Sequence, residues 1–94
     1  MVKHIVMYTL REDCDKEAAV QEIANTLHPL VGKIPGLLHL EVRRTYQGNA
    51  DYVLYSEFES AKALADYQVH PDHVAGKGVV HKYVATRTAA DYEY

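Results

Sequence analysis

Tyr67, His70 and His73 lie at intervals of three residues around Pro71, and their side chains can exchange protons. Pro71 suits the first position of a helix, so we expect His73 in the first turn. The helix dipole disfavours an imidazolium there, and His73 would then be a neutral proton acceptor. A neutral imidazole beside a phenol is a candidate acid–base pair. His73 would remove a proton next to a carbonyl, and Tyr67 would donate to the developing enolate oxygen.

A purely structural role is the alternative interpretation of these side chains, because histidine and tyrosine also occur in plain structural networks. His4, on the first predicted strand, could point into a pocket or be a core histidine with a satisfied hydrogen bond. His70 and His73 could also be a metal pair, but zinc requires three or four ligands, and no third ligand stands at a convincing spacing. We therefore expect no metal and no cofactor.

Hydrophobic alternation predicts four strands, over residues 3–10, 37–46, 51–58 and 84–91. Helical spacing predicts a first helix, capped by Asp13 or Asp15 and ended early by Pro29. Ser60 caps a second helix, which the step before Pro71 breaks. The expected buried stripes are Val20, Ile23, Ala24, Leu27 and Val31, then Ala61, Leu64 and Ala65, with Leu38, Leu40 and Val42 on the second strand.

This order predicts a single α+β domain over residues 1–94, a βαββαβ unit with a four-stranded antiparallel sheet and its helices on one face. The first and third strands carry apolar residues on both faces, with Ile5, Met7, Val53 and Tyr55 on the uncovered one. A second copy of the sheet is the simplest cover for that face, which favours a homodimer. The alternative is a monomer with a few exposed apolar side chains.

Composition excludes several classes of function. The net charge is -3, and the largest cluster of basic residues is the pair Arg43–Arg44, so we expect no nucleic-acid partner. No apolar run is long enough for a membrane span, and the first ten residues do not resemble a signal peptide. Cys14 is the only cysteine, which favours a reducing, cytoplasmic location.

Three segments resemble the stress-responsive A/B-barrel (Dabb) family, together with the closing Asp91–Tyr92. They are Val2-Lys3-His4-Ile5-Val6, Gly32-Lys33-Ile34-Pro35-Gly36-Leu37 and Tyr67-Gln68-Val69-His70-Pro71-Asp72-His73-Val74. The resemblance covers nearly the whole chain. It implies a ferredoxin-like domain that dimerises through its sheets as an α+β barrel.

Polyketide cyclases of this family close a ring by aldol condensation without a cofactor. The resemblance places their catalytic tyrosine and histidine on Tyr67 and His73, and the aspartate that supports this histidine on Asp91. It places pocket-lining histidines on His4 and His70.

One further pocket histidine of these cyclases is replaced here by Tyr52, so their substrate is not carried over. Three functions stay open. The first is a homodimer that binds a small carbonyl or aromatic ligand between sheet and helices, without turnover. The second is a cofactor-free cyclase or isomerase that uses Tyr67 and His73. The third, a monooxygenase-type dimeric α+β barrel, ranks last because the chain lacks tryptophan.

Overall fold

Four strands and three α-helices make up the computed structural model, which describes residues 1–94. In chain order they are β1 (Val2–Leu10), α1 (Lys16–Leu27), a short 3-10 helix (His28–Leu30), β2 (Leu37–Arg44), β3 (Tyr52–Phe58), α2 (Ala61–Val69), α3 (Pro71–Tyr83) and β4 (Val84–Glu93). No helix among them is long and apolar enough to span a lipid bilayer.

The strands form one antiparallel sheet in the order β2-β3-β1-β4, which confirms the predicted ferredoxin-like fold. Val6 of β1 is paired with Leu54 of β3 on one side and with Ala89 of β4 on the other. Alternate side chains of the central strands are buried under the helices, as the period-two pattern requires. Beyond Val84, however, every residue of β4 is exposed, so the helices leave this edge strand uncovered.

The other face of the sheet carries no helix. Its centre is apolar, with Ile5 and Met7 from β1 and Val53 and Tyr55 from β3, and the Met7 side chain is 46% exposed. On this open face β2 presents the polar side chains of His39, Glu41 and Arg43, whereas β4 presents Thr86 and Thr88 followed by Ala90 and Tyr92. An apolar strip with a polar border is typical of a surface that pairs with another protein.

Helix α1 begins and ends where the capping signals indicate. The Asp15 carboxylate accepts a hydrogen bond from the Ala18 amide at 3.2 Å, which identifies Asp15 as the N-cap. The helix ends before Pro29, and the chain tightens into the 3-10 helix. This change of pitch buries Leu30 and leaves Val31 38% exposed, so the predicted burial of Val31 was wrong.

The predicted face of β2 was wrong at its first residue. Leu40 and Val42 are buried as expected, but Leu37 is buried in place of Leu38, which is 44% exposed. The pairing of β2 with β3 shifts between Leu37 and His39. Such a bulge inserts one residue and reverses which side chains face the core.

Helix α2 buries Leu64 and Tyr67, whereas the predicted Ala61 and Ala65 are exposed. The helix turns its largest apolar side chains toward the sheet, and the small alanines fall on the solvent side. Ser60 caps the helix, as predicted, by accepting from the Ala63 amide at 3.1 Å. Gly36 sets the approach of α2 to β2, because a Cβ there would lie 2.5 Å from the Ala63 Cβ.

Candidate functional site

A cavity of about 460 Å³ lies between the helices and the sheet, beside the uncovered strand β4. The sheet contributes His4 and Tyr8 from β1 and Leu54 from β3, while α2 contributes Tyr67 and α3 contributes His73. The helix junction at His70–Pro71 turns the chain so that residues from both helices reach the same space. The structure thus brings together the predicted acid–base pair and His4.

The rings of Tyr67 and His73 are stacked, with centroids 3.9 Å apart and planes inclined by 23°. Tyr67 is also packed against Phe58, at a centroid distance of 5.0 Å. These contacts fix the ring of Tyr67 from two sides. The Tyr67 hydroxyl and the His73 Nδ1 are both buried, yet neither has a hydrogen-bond partner in the chain.

Burial lowers the pKa of His73 from its ordinary value of 6.5 to about 4. The positive charge of Lys77 lowers this pKa further. The backbone carbonyls of Gln68 and Tyr67 lie near the ring and oppose the shift, although neither meets the geometry of a hydrogen bond to Nδ1. Pro71 is the first residue of α3, as predicted, so His73 is the third. Burial rather than the helix dipole is therefore the main cause that favours the neutral imidazole.

Burial also raises the pKa of the Tyr67 phenol far above its ordinary value. The hydroxyl consequently stays protonated at any physiological pH and can act only as a neutral donor or acceptor. A buried donor without a partner is uncommon, because each such group loses its bonds to water on folding. A ligand in the cavity could accept this hydrogen bond.

The family resemblance implied that Asp91 supports His73, but the structure pairs Asp91 with a different histidine. Its carboxylate is bonded instead to Nδ1 of His4, its direct neighbour across β1 and β4. His4 is buried, and this bond supplies the partner that a core histidine requires. The register of the sheet explains the correction, since Asp91 and His4 are paired residues on the same face. The roles of both residues in binding remain predictions.

His70 and Tyr52 do not line this cavity, although both were predicted pocket residues. The His70 side chain accepts a hydrogen bond from the Asp72 amide at 3.1 Å and caps α3. Tyr52 is fully buried and stacked on Tyr8, with centroids 4.6 Å apart. His70 thus serves the helix junction, and Tyr52 belongs to the core beneath the cavity.

Four polar residues that line the cavity were missed as candidates from the sequence: Gln68, Lys77, His81 and Arg87. Lys77 stands four residues after His73, and this spacing on a helix would have placed both on one face. Arg87 pairs with Tyr8 across β1 and β4. The sequence of β4 does not identify Arg87 as a cavity residue, because the pairing register depends on the whole sheet.

A second cavity of about 470 Å³ lies at the turn between β2 and β3 and reaches the open face of the sheet. Its lining includes Met7, Thr9, Thr86 and Thr88, together with amide side chains of the turn, and no histidine. Tyr67 and His73 therefore line the first of these two cavities and not the second.

Known proteins with the same fold and sequence features identify the family. Residues 2–94 match the model of the "Stress responsive A/B Barrel Domain". The chain is 30% identical over 78 residues to a stress-response A/B barrel domain-containing protein of Arabidopsis thaliana. This match covers 79% of the chain but only 29% of the plant protein.

Two solved structures show the same fold. A dimeric protein of unknown function and ferredoxin-like fold from Bacteroides fragilis is 31% identical, with a TM-score of 0.89, covering 99% of this chain and 95% of that one. A putative antibiotic biosynthesis monooxygenase from Nitrosomonas europaea is 20% identical, with a TM-score of 0.81, covering 100% of this chain and 98% of that one, and shows the fold alone. The match over nearly the whole chain establishes that this protein belongs to the stress responsive A/B barrel domain family, as its residues predicted.

Proposed function

We propose that this chain acts as a homodimer that binds a small organic ligand, a carbonyl or aromatic compound, in the cavity between sheet and helices. One observation carries the proposal: the Tyr67 hydroxyl and the His73 Nδ1 are buried without a partner in residues that line this cavity. Leaving such a group unpaired costs about 1–3 kcal/mol. A ligand that bonds to both groups would recover this free energy.

The size and lining of the cavity favour a ligand of this class. Its volume of about 460 Å³ lies within the range of roughly 300–1,000 Å³ found for small-molecule sites. Leu27, Leu54 and Val80 supply apolar contact, and Tyr67 and His73 supply the polar groups that orient a ligand. A planar ring or a carbonyl compound matches this combination.

The open face of the sheet favours the homodimer. Its apolar strip, Ile5, Met7, Val53 and Tyr55, lies in the centre, where a second sheet would pack. A relative of nearly identical fold and 31% identity is itself described as dimeric. Because the cavity lies on the helix side, ligand binding and dimerisation use different faces.

A cofactor-free cyclase or isomerase is the second candidate function. The neutral state of His73 favours it, because only a neutral imidazole can accept a proton while Tyr67 donates to an enolate oxygen. A general base works best with a pKa near the operating pH, however. With a pKa of about 4, His73 is a weak base, so we rank catalysis second to binding.

A thermal-shift screen against aromatic acids, polyketides and lactones tests the binding function. A ligand at about 100 times its Kd stabilises the native state by about 2.7 kcal/mol, which is about 10 °C or more in Tm for a domain of this size. We expect Tyr67→Phe and His73→Ala to lose most of this shift. His28→Ala, at an exposed histidine outside the cavity, is the matched control. Equal shifts in the wild type and in all three variants would contradict the proposal.

The second candidate is separated from the first by product analysis. Each stabilising compound is incubated with the protein, and ring-closed or isomerised products are sought by mass spectrometry and NMR. Turnover that both Tyr67→Phe and His73→Ala abolish would support catalysis. Binding without product from any compound would leave the binding function and reject the enzyme.

A further inference from the structure

The charge of the cavity is opposite to that of the chain. The chain has 13 acidic and 10 basic residues, but no aspartate or glutamate lines the cavity. Lys77 of α3 and Arg87 of β4 both line it. Two permanent positive charges therefore line the cavity of an acidic protein, and the carboxylate of Asp91, which is not a lining residue, is bonded to His4.

Neither cation is neutralised by the protein. Five of the basic side chains elsewhere form ion pairs with carboxylates, whereas Lys77 and Arg87 form none. Lys77 Nζ donates only to the backbone carbonyl of Gln68, at 3.3 Å. Burial raises the pKa of the Tyr8 phenol, and the guanidinium of Arg87 opposes this rise first by hydrogen bonding and then by its charge. Neither charge beside the cavity is therefore paired with a carboxylate of the protein, and Arg87 is exposed to water.

We infer that the ligand of this site is an organic acid, an aromatic or carbonyl compound with a carboxylate whose charge Lys77 and Arg87 balance. This inference rests on the proposed function and specifies its ligand class. A carboxylate accepts charge-assisted hydrogen bonds, which are roughly twice as strong as neutral ones. A guanidinium also matches a carboxylate through two parallel hydrogen bonds. The apolar and aromatic lining then holds the rest of the molecule.

Pairs of acids and their neutral amides test the inference: benzoate with benzamide, 3-phenylpropionate with 3-phenylpropionamide, and 1-naphthoate with 1-naphthamide. Each pair has the same shape but differs in charge. NMR titration gives each Kd and the residues whose signals move. We expect the acid of a pair to bind about tenfold more tightly than its amide, a difference that shrinks as salt is added.

Single substitutions identify the residues that cause the preference for acids over amides. Arg87→Gln and Lys77→Gln should each weaken acid binding by about three- to tenfold and leave amide binding nearly unchanged. Lys33→Gln removes one exposed, unpaired charge outside the cavity and should change neither. Circular dichroism and Tm confirm that each variant is folded.

The outcomes separate the two proposals. If acids and amides bind in the cavity with equal affinity, the inference is overturned and the binding function stands. If amides bind more tightly, the inference is likewise overturned. If no acid and no amide of the series moves a signal of a cavity residue, the inference and the binding function both fail.

Discussion

The imidazole of His73 lies face to face with the phenol of Tyr67, at a centroid distance of 3.9 Å. The two side chains are not hydrogen-bonded to each other, and the Tyr67 hydroxyl and the His73 Nδ1 both lack a hydrogen-bond partner. Stacking holds the two rings side by side, and both polar atoms are buried between their neighbours. This arrangement is the observation on which the proposed binding site rests.

Replacing Tyr67 with phenylalanine should separate binding from stability. The substitution removes an unpaired buried hydroxyl and keeps the ring, so we expect the free energy of unfolding to stay constant or rise by up to about 1 kcal/mol. Ligand binding should weaken by about tenfold or more. Urea denaturation and ligand titration measure the two effects.

Tyr52→Phe is the matched control, because Tyr52 has the only other buried tyrosine hydroxyl without a partner but lies outside the cavity. It should have the same small effect on stability and none on binding. A loss of more than about 2 kcal/mol of stability in Tyr67→Phe would show that its hydroxyl holds the fold.

Acid should destabilise the protein through His73. Its pKa is about 4 in the folded chain against 6.5 ordinarily, so the unfolded chain takes up a proton first as the pH falls. The contribution of His73 to stability is therefore complete above pH 6.5 and is lost as the pH falls toward 4. Since the ring is partly exposed, we expect the loss to be about 1–2 kcal/mol.

Urea denaturation between about pH 7 and pH 4.5 measures this loss. His73→Gln has no group that titrates at this position, so its stability should fall less steeply than that of the wild type. Parallel pH profiles for the two proteins would show that the His73 pKa is ordinary in the folded state.

Asp91→Asn tests the pairing of Asp91 with His4. The substitution weakens the bond to a buried imidazole, and we expect a destabilisation of about 1–3 kcal/mol. Because Asp91 is bonded to His4, the pKa of His73, followed by NMR of its ring nitrogens, should not change. A clear fall in the pKa of His73 would reveal that Asp91 supports His73 directly.

The dimer should depend on the open face. Met7→Lys places a charge in the apolar strip, and burying an unpaired charge against a second sheet is costly. We expect the Kd of the dimer to rise by more than about tenfold in analytical ultracentrifugation. Val31→Lys, at an exposed valine away from the sheet, should dimerise like the wild type. A wild-type protein that is monomeric at micromolar concentration would contradict the dimer outright.

Much of the fold could be predicted from local sequence patterns. Asp15, Ser60 and Pro71 mark helix starts through chemistry that depends on their own residue type. Alternation on β1 and β3 predicted the buried faces correctly because both strands are central and every second side chain is buried along each of them. The shift before His39 could not be predicted, since a bulge depends on how two strands pair.

The candidate site was predictable only in part, for the same reason. Tyr67 and His73 are close in sequence, and one helix junction brings them together. The partner of Asp91 and the position of Arg87 depend on the register between β1 and β4, which are far apart in the chain. Family resemblance therefore assigned Asp91 to the wrong histidine.

The most direct test of the binding site is to locate a bound ligand by NMR. Intermolecular NOEs are recorded between the tightest-binding compound and the protein. We expect NOEs to the ring protons of Tyr67 and His73, and their loss of intensity when Tyr67→Phe weakens binding. NOEs only to Met7, Thr86 and Thr88, on the open face of the sheet, would contradict a ligand site between sheet and helices.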